Sequence, residues 1–462
     1  MVLACRPESD LNSDRIEREW MPFIVGWVLN CVYALLLLTV APVLVYRRIR
    51  FGKYRGGWRE KLTGQLVRQH PDRQCIWFHA VSVGEVLQLQ KVLDETASRF
   101  PAAELFITTT TDTGYEVART KYPQHTVAYF PLDFTWSVSQ ALKSIHPDLV
   151  VLVELELWPN FIFQCQKRAI PLALINGRIG ERSYRGYSRI RPLLRRVLDC
   201  FDVLAVQNET YGQRLISLGA PTDRVVVTGN IKFDRAESDR SSAKTMDLRR
   251  AFGIQLDEQV FIAGSTQSPE EMYALDAWRS LRADFPKLRL ILVPRHKERF
   301  DDVAELVHQR GVTLLRRSEL TGVISASSTS SHPVILLDTL GELAACWGLA
   351  DIAFVGGSLT NRGGQNMLEP AGYGAAVLFG PNTWNFKDIT EALLSRDAAK
   401  VVRDADELTS ALKELLENPG LAKQLGRTAR EFVAEQQGAT VKTIDRIVPL
   451  ISIPLVEKIR AA

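Results

Sequence analysis

Hydrophobic and polar positions divide the chain into an apolar front and a patterned remainder. Residues 22–46 contain no charged side chain, and a helix of roughly 20 such residues is long enough to cross a bilayer. From residue 62 onward, short β-branched runs alternate with longer amphipathic stretches. A first series falls at 75–78, 105–109, 127–130, 149–153, 172–175 and 203–206, and a second at 260–263, 288–293, 312–315, 334–337, 352–355 and 376–379. Buried runs of this kind, each followed by helix-compatible sequence, predict parallel strands covered by helices on both faces. Two series predict an α/β fold of two doubly wound, Rossmann-like domains facing a cleft. The polar stretch Asp234-Arg-Ala-Glu-Ser-Asp-Arg-Ser-Ser-Ala-Lys244 carries neither pattern and marks the boundary. The expected organisation is a tail, an anchor helix at about 22–46 and a basic juxtamembrane segment within 1–61, a first domain at 62–234, a linker at 235–256, and a second domain at 257–462 that includes the C-terminal helices. Residues 325–331 read as a polar loop inside the second domain.

The length of 462 residues agrees with two cores, because single cores stop growing at roughly 250–300 residues. With 46% hydrophobic and 24% charged residues, disorder, a collagen-like repeat and a polytopic membrane protein are excluded. The formal net charge of +4 is too weak to indicate nucleic acid, and its placement says more. Residues 1–21 carry three basic and five acidic side chains, whereas 47–61 carry seven basic and one acidic. The positive-inside rule then leaves the long C-terminal part in the cytoplasm, behind a single-pass anchor. The basic segment suits contact with anionic membrane lipids. A cleaved signal peptide, with Thr39-Val-Ala41 as the cleavage site, and a helix lying in one leaflet, favoured by Asn30 and Pro42, are the alternatives. The six cysteines form no Cys-x-x-Cys pair and the seven histidines no His-x-x-x-His pair, so neither a metal site nor a cofactor is expected.

In open parallel sheets ligands bind beyond the carboxyl ends of the strands, so the residues just after each strand are the candidates. After the first run comes His79-Ala-Val-Ser-Val-Gly-Glu85, which sets Glu85 at the opening of a helix. Desolvation there would raise its pKa into the range of a general base; the helix macrodipole would lower it instead, and the sequence leaves both open. After the fourth run, Glu154 and Glu156 flank Leu155 ahead of Trp158-Pro159, with Arg178, Arg182 or Arg185 as expected partners. Lys232 follows a strand near the hinge. In the second domain Ala263-Gly-Ser-Thr266 would admit a phosphate at a helix N-terminus, and Pro294-Arg-His296 presents Arg295 and His296. Gly363-Gly364 is expected to open a helix with free N–H groups, followed by Gln365, Asn366 and Glu369, the last placed to accept ribose hydroxyls. No Gly-x-Gly-x-x-Gly follows a strand and no Walker loop exists, which argues against a dehydrogenase and a P-loop enzyme.

With these runs in this order, the chain resembles the Kdo (3-deoxy-D-manno-octulosonic acid) transferases of lipopolysaccharide assembly, membrane-anchored glycosyltransferases of GT-B fold. The carriers are the N-terminal anchor, His79 to Glu85, Glu154-Leu-Glu-Leu-Trp-Pro159, Gly229-Asn-Ile-Lys-Phe233, Pro294-Arg-His296, Asp338-Thr-Leu-Gly-Glu342 and the segment from Gly363 to Ala371. The resemblance implies a CMP-Kdo donor bound by the second domain and a lipid A precursor bound by the first. It implies Glu85 as catalytic base, Glu154, Glu156 and Lys232 on the acceptor side, and Arg295, His296, Gly341, Glu342, Gly364, Gln365, Asn366 and Glu369 on the donor side. The reaction would be an inverting, metal-independent transfer. Gln365 stands where the family commonly has His, which removes a protonatable contact. A UDP-sugar transferase of the same architecture and a non-catalytic nucleotide-sugar-binding protein are the competing readings.

Overall fold

The computed structural model describes residues 8–52, 56–320 and 332–452, so the polar loop expected at 325–331 lies outside the described residues. The chain divides into two compact units, one comprising Met1–Ile231 with Gly438–Ala462 and the other Lys232–Gln437.

The first unit is a parallel sheet of β1 (Cys75–His79), β2 (Glu104–Thr109), β3 (Thr126–Tyr129), β4 (Leu149–Val153), β5 (Leu172–Gly177), β6 (Val203–Val206) and β7 (Val225–Val227), in the order β3-β2-β1-β4-β5-β6-β7. Strands β1, β2, β4 and β5 are buried along their whole length, as strands covered on both faces must be. One face packs helix Val83–Arg99, through Val86, Leu89, Val92 and Leu93, against Ile76, Phe78 and Val151. The other packs helices Thr135–Ile145, Pro159–Lys167, Arg191–Leu198 and Glu209–Leu218. The chain leaves β1 toward β2 and returns to β4 on its other side. This reversal of winding opens a crevice at the carboxyl ends of β1 and β4.

The second unit repeats the plan with β8 (Gln259–Thr266), β9 (Leu288–Pro294), β10 (Leu314–Arg316), β11 (Val334–Leu336), β12 (Ile352–Val355), β13 (Ala376–Phe379) and β14 (Ala399–Val401), ordered β10-β11-β9-β8-β12-β13-β14. Its switch point lies between β8 and β12.

Two boundaries differ from the sequence reading. Helix Ala439–Ser452 belongs with the first unit, not the second. Ala439, Ile444, Ile447 and Ile451 make an apolar stripe at helical spacing that joins the core beneath helix Val83–Arg99. Thr443 Oγ1 bonds Thr228 Oγ1 at 3.0 Å, and Arg99 pairs with Asp445 at 2.5 Å. Gly438, at φ 92°, supplies the left-handed turn that ends the preceding helix, Pro419–Gln436. Nor are residues 235–256 a linker. Helix Ala243–Ala251 buries Leu248, Thr245 Oγ1 donates to the Ala345 carbonyl at 3.0 Å, and Arg240 caps the Tyr373 and Ala350 carbonyls.

Helix Glu8–Phe51 contains the stretch Gly26–Arg50, with mean hydropathy 2.4, long and apolar enough by length and composition to cross a membrane. Leu35, Leu36, Leu38 and Ile49 on it are exposed. Asn30, which interrupts the apolar run, is buried instead: its amide donates to Thr135 Oγ1 at 2.8 Å and its carbonyl oxygen accepts from the Thr135 N–H at 3.1 Å. One helical turn on, Tyr33 donates to Asp133 at 3.1 Å. Asp133 also accepts the first N–H groups of helix Pro159–Lys167, from Asn160 and Phe161. The polar interruption is therefore a junction with the first unit.

Candidate active site

After β1 the chain turns at Ala80–Ser82, held by the Ala80 N–H on the Thr108 carbonyl at 3.0 Å and by Thr109 Oγ1 on the Val81 carbonyl at 3.0 Å. Ser82 caps helix Val83–Arg99, and Glu85 is its third residue. Glu85 Oε1 accepts from Ser82 Oγ at 2.6 Å, and Oε2 accepts from the Val81 N–H at 2.8 Å. This is a capping box, Ser-x-x-Glu. Glu85 is 9% exposed, and burial raises the proton affinity of its carboxyl against the pull of those two hydrogen bonds; the charge of Glu154 raises it further. The helix is pinned at Gln88, whose carbonyl oxygen accepts from Asn176 Nδ2 at 3.0 Å. Asn176 in turn precedes the last residue of β5 and sits at φ 55°.

Across the switch point, β4 delivers Glu154 and Glu156. Glu154 sits in the left-handed region at φ 60°, its N–H held by the Ile175 carbonyl at 2.9 Å. Such a conformation costs about 1–2 kcal/mol for a residue with a Cβ. Glu156 is half-buried, and its carboxyl is pushed up to about 7, by burial first and then by the charges of Glu85 and Glu154. Three carboxylates from the ends of β1 and β4 thus share one electrostatic neighbourhood. Of the arginines expected beside them, Arg185 pairs with Glu181 at 3.0 Å and Arg182 lies exposed on the same helix, Glu181–Ser188. Glu156 takes its shift from burial first and then from its negative neighbours.

In the second unit the phosphate cradle expected near Ala263-Gly-Ser-Thr266 is filled by the protein itself. Glu270, fully buried, accepts from the N–H groups of Gln267 at 2.8 Å, Gly357 at 2.7 Å, Ser358 at 3.0 Å and Leu359 at 2.9 Å. A Cβ on Gly356 would lie 2.5 Å from the Thr266 Cα, so only glycine fits where the ends of β8 and β12 meet.

Gly363 and Gly364 do not open a helix. Both have positive φ, 86° and 75°, and the Gly364 N–H is taken by the Gly357 carbonyl at 2.8 Å. The helix starts at Leu368 and runs only to Gly372. Asn366 precedes it, accepting from the Leu368 N–H at 3.2 Å and donating to Glu369 at 3.0 Å. Burial raises the Glu369 carboxyl; Asn366, then Arg235, and more weakly Arg295, pull it back. Arg295 and Glu369 therefore sense each other, with Gln365 lying against Gly357.

Arg295 and His296 are exposed directly after β9. Glu342 is engaged by Arg317 at 2.9 Å and by the Thr339 hydroxyl, and Gly341 beside it is exposed at φ 86°. Lys232 is the first residue of the second unit. Among the described residues no group of three His, Cys, Asp or Glu side chains is placed to hold a metal ion.

Residues 50–235 match the family model described as 3-deoxy-D-manno-octulosonic-acid transferase (kdotransferase). The 3-deoxy-D-manno-octulosonic acid transferase of Haemophilus influenzae is 33% identical over 425 residues, covering 91% of this chain and 98% of the relative. That of Bordetella pertussis is 30% identical over 434 residues, covering 90% and 98%. The chain belongs to the Kdo transferase family. A UDP-GlcNAc 2-epimerase from Neisseria meningitidis, solved bound to UDP-GlcNAc, covers 81% of this chain and 100% of its own with TM-score 0.54 at 13% identity, a likeness of fold. A C-terminal CMP-Kdo binding domain from Acinetobacter baumannii is 32% identical over 42% of this chain and 96% of its own, with TM-score 0.38. Two parallel seven-stranded sheets flanked by helices make this Kdo transferase family member a GT-B-type glycosyltransferase.

Several residues that shape the site had no place in the sequence reading. Ser82 was legible as the first residue of a Ser-x-x-Glu capping box. Glu270, Arg235 and Arg317 were not, because the groups they meet, at Leu359, Glu369 and Glu342, lie far along the chain.

Proposed function

We propose that this chain transfers Kdo from CMP-Kdo to a sugar hydroxyl of a lipid A precursor, in an inverting, metal-independent step with Glu85 as general base. Family membership supports the reaction class. The observation that carries the assignment of the base is the carboxylate group at the β1/β4 switch point, in which Glu85 is buried beside Glu154 and coupled to Glu156. A carboxylate whose proton affinity is raised toward neutrality takes a hydroxyl proton more readily than a solvated one.

The acceptor oxygen, losing its proton to Glu85, forms a bond to the anomeric carbon of Kdo. The bond from that carbon to the phosphate oxygen breaks, and CMP leaves with the electron pair. Arg295 offsets the charge of the departing phosphate, a contribution of the electrostatic kind. Asn366 and Glu369 hold the nucleotide, the carboxylate accepting from ribose hydroxyls. Gln365 contributes a neutral hydrogen bond, so this contact does not titrate. The apolar stretch Gly26–Arg50 supports a single-pass anchor, which in this reading lies in the inner membrane with the remainder of the chain on the cytoplasmic side of the basic segment.

The test is turnover of purified full-length protein with CMP-Kdo and a lipid A precursor, in parallel with UDP-sugars. Formation of the Kdo-bearing lipid from CMP-Kdo alone is expected. Transfer only from a UDP-sugar, or no product from folded protein, would overturn the proposal.

A further inference from the structure

Asn176, the next-to-last residue of β5, is buried and stands at φ 55°. Side chains along a strand alternate between the two faces of the sheet. Leu172 and Leu174 join the core on one face, Ala173 and Ile175 the core beneath helix Val83–Arg99. Alternation would send Asn176 to the first face. Its positive φ, with the break in β5/β6 register between Leu174 and Gly177, turns it to the second, where Nδ2 donates to Gln88 Oε1 at 3.0 Å. Bulges beside active sites re-aim side chains in this way. The other polar groups of the residue are engaged too. Oδ1 accepts from the Ile231 N–H at 3.3 Å, and the carbonyl accepts from Gln207 Nε2 at 3.1 Å. Gln88 and Gln207 are buried as well. A buried polar network of this kind holds one arrangement, because leaving a member unpaired is costly.

Its reach joins two parts of the site. Gln88 lies one helical turn beyond Glu85 on the same helix. Glu154 follows the last paired residues of β4 and β5, Val153 and Ile175, and its N–H is held at 2.9 Å by the Ile175 carbonyl, in the peptide bond to Asn176. The helix that carries Glu85 and the turn that carries Glu154 are thus fixed to one residue. We propose that Asn176 is a positioning residue for the transfer, setting through Gln88 where the Glu85 carboxylate stands relative to Glu154. The inference rests on the reading of Glu85 as base. Glu154 and Glu156 are the charged groups that bear on Glu85. Of the helices packed on its own, Asp112–Lys121 is followed by Tyr122, whose hydroxyl donates to the Val86 carbonyl at 2.6 Å. Helix Ala439–Ser452 bears Asp445, paired with Arg99 at the far end.

The test is steady-state kinetics across pH, with the full chain, CMP-Kdo and a lipid A precursor, for Asn176→Gly and Gln88→Met. Glycine adopts φ 55° without strain, so the first variant removes the amide and keeps the turn. The second removes the acceptor from the other side of the same bond. Each is expected to lower kcat by roughly tenfold to a hundredfold, the scale of a misplacement of about 1 Å, with KM for CMP-Kdo held within about twofold. The acidic limb of kcat/KM should move to lower pH by about half a pH unit, since a carboxyl released from burial and from Glu154 ionises more easily. The double variant should lose no more than either single one, as neighbours in one network do. Thr443→Val, which breaks the buried bond to Thr228, should lower stability and leave the limb in place. Unchanged kcat and an unmoved limb in both variants, with Glu85→Gln inactive, would overturn this proposal alone. Turnover retained in Glu85→Gln would overturn the base, and the proposal with it. Fully additive losses in the double variant, or the same limb shift in Thr443→Val, would leave Asn176 a structural role only and overturn the proposal too.

Discussion

Glu85 and Glu270 occupy matching places in the two units, each at the start of the helix that follows the strand at the switch point, yet their surroundings differ. Glu270 is fully buried and its oxygens are saturated by four backbone N–H groups, with no acidic neighbour among the causes of its shift. Glu85 accepts one N–H and one hydroxyl and is electrostatically coupled to Glu154 and Glu156. The first carboxylate clamps two loops. The second is left with spare acceptor capacity and neighbours that make a proton welcome. Position after a strand does not distinguish a base from a structural acid; unsatisfied lone pairs and like charges nearby do.

The comparison breaks most sharply on exchanging carboxylate for amide at both positions. Glu85→Gln is expected to lower turnover by roughly a hundredfold to ten-thousandfold with little loss of stability, since Gln also completes a capping box. Loss of fold instead, seen as a lowered denaturant midpoint, would make Glu85 another clamp. Glu270→Gln should do the reverse, costing about 1–3 kcal/mol of stability because a buried acceptor is replaced by a group that cannot satisfy four donors. Denaturant titration of both variants measures the difference.

A smaller effect tests the coupling. The Glu156 carboxyl, raised to about 7 in the fold from an ordinary 4.5, favours the folded state while protonated. Its contribution to stability is fully present below pH 4.5 and lost as pH rises through about 7. Stability measured against pH should fall less over that window in Glu156→Gln than in the unaltered chain. The smallest effect is expected far from both carboxylates: Asn30→Leu removes the bonds to Thr135 and should cost about 1 kcal/mol of first-unit stability, read as a small drop in Tm.

Much of the fold was legible because fully buried parallel strands stand out as continuous apolar runs. The runs at 149–153, 203–206, 352–355 and 376–379 coincide with β4, β6, β12 and β13. Edge strand β14 was missed: it is three residues long, interrupted by Lys400 and only partly buried, so no apolar run marks it, while β7 was read only as the strand ahead of Lys232. The last helix was placed with the wrong unit because an apolar stripe at helical spacing tells that a helix packs, not on which sheet. At the site, strand ends pointed to Glu85, Glu154, Glu156 and Arg295. The Gly363-Gly364 helix start was misplaced, since glycines at positive φ make a turn, and here the helix begins four residues later.

The central claim, that Glu85 acts as a base within a coupled carboxylate group, is tested most directly by the pH profile of kcat/KM in the unaltered chain and in Glu156→Gln. Activity should rise with pH as the group loses its protons. Removing the Glu156 charge should move that rise to lower pH, because a carboxylate with one fewer negative neighbour ionises more easily. An acidic limb that stays where it was, or moves to higher pH, would contradict the account.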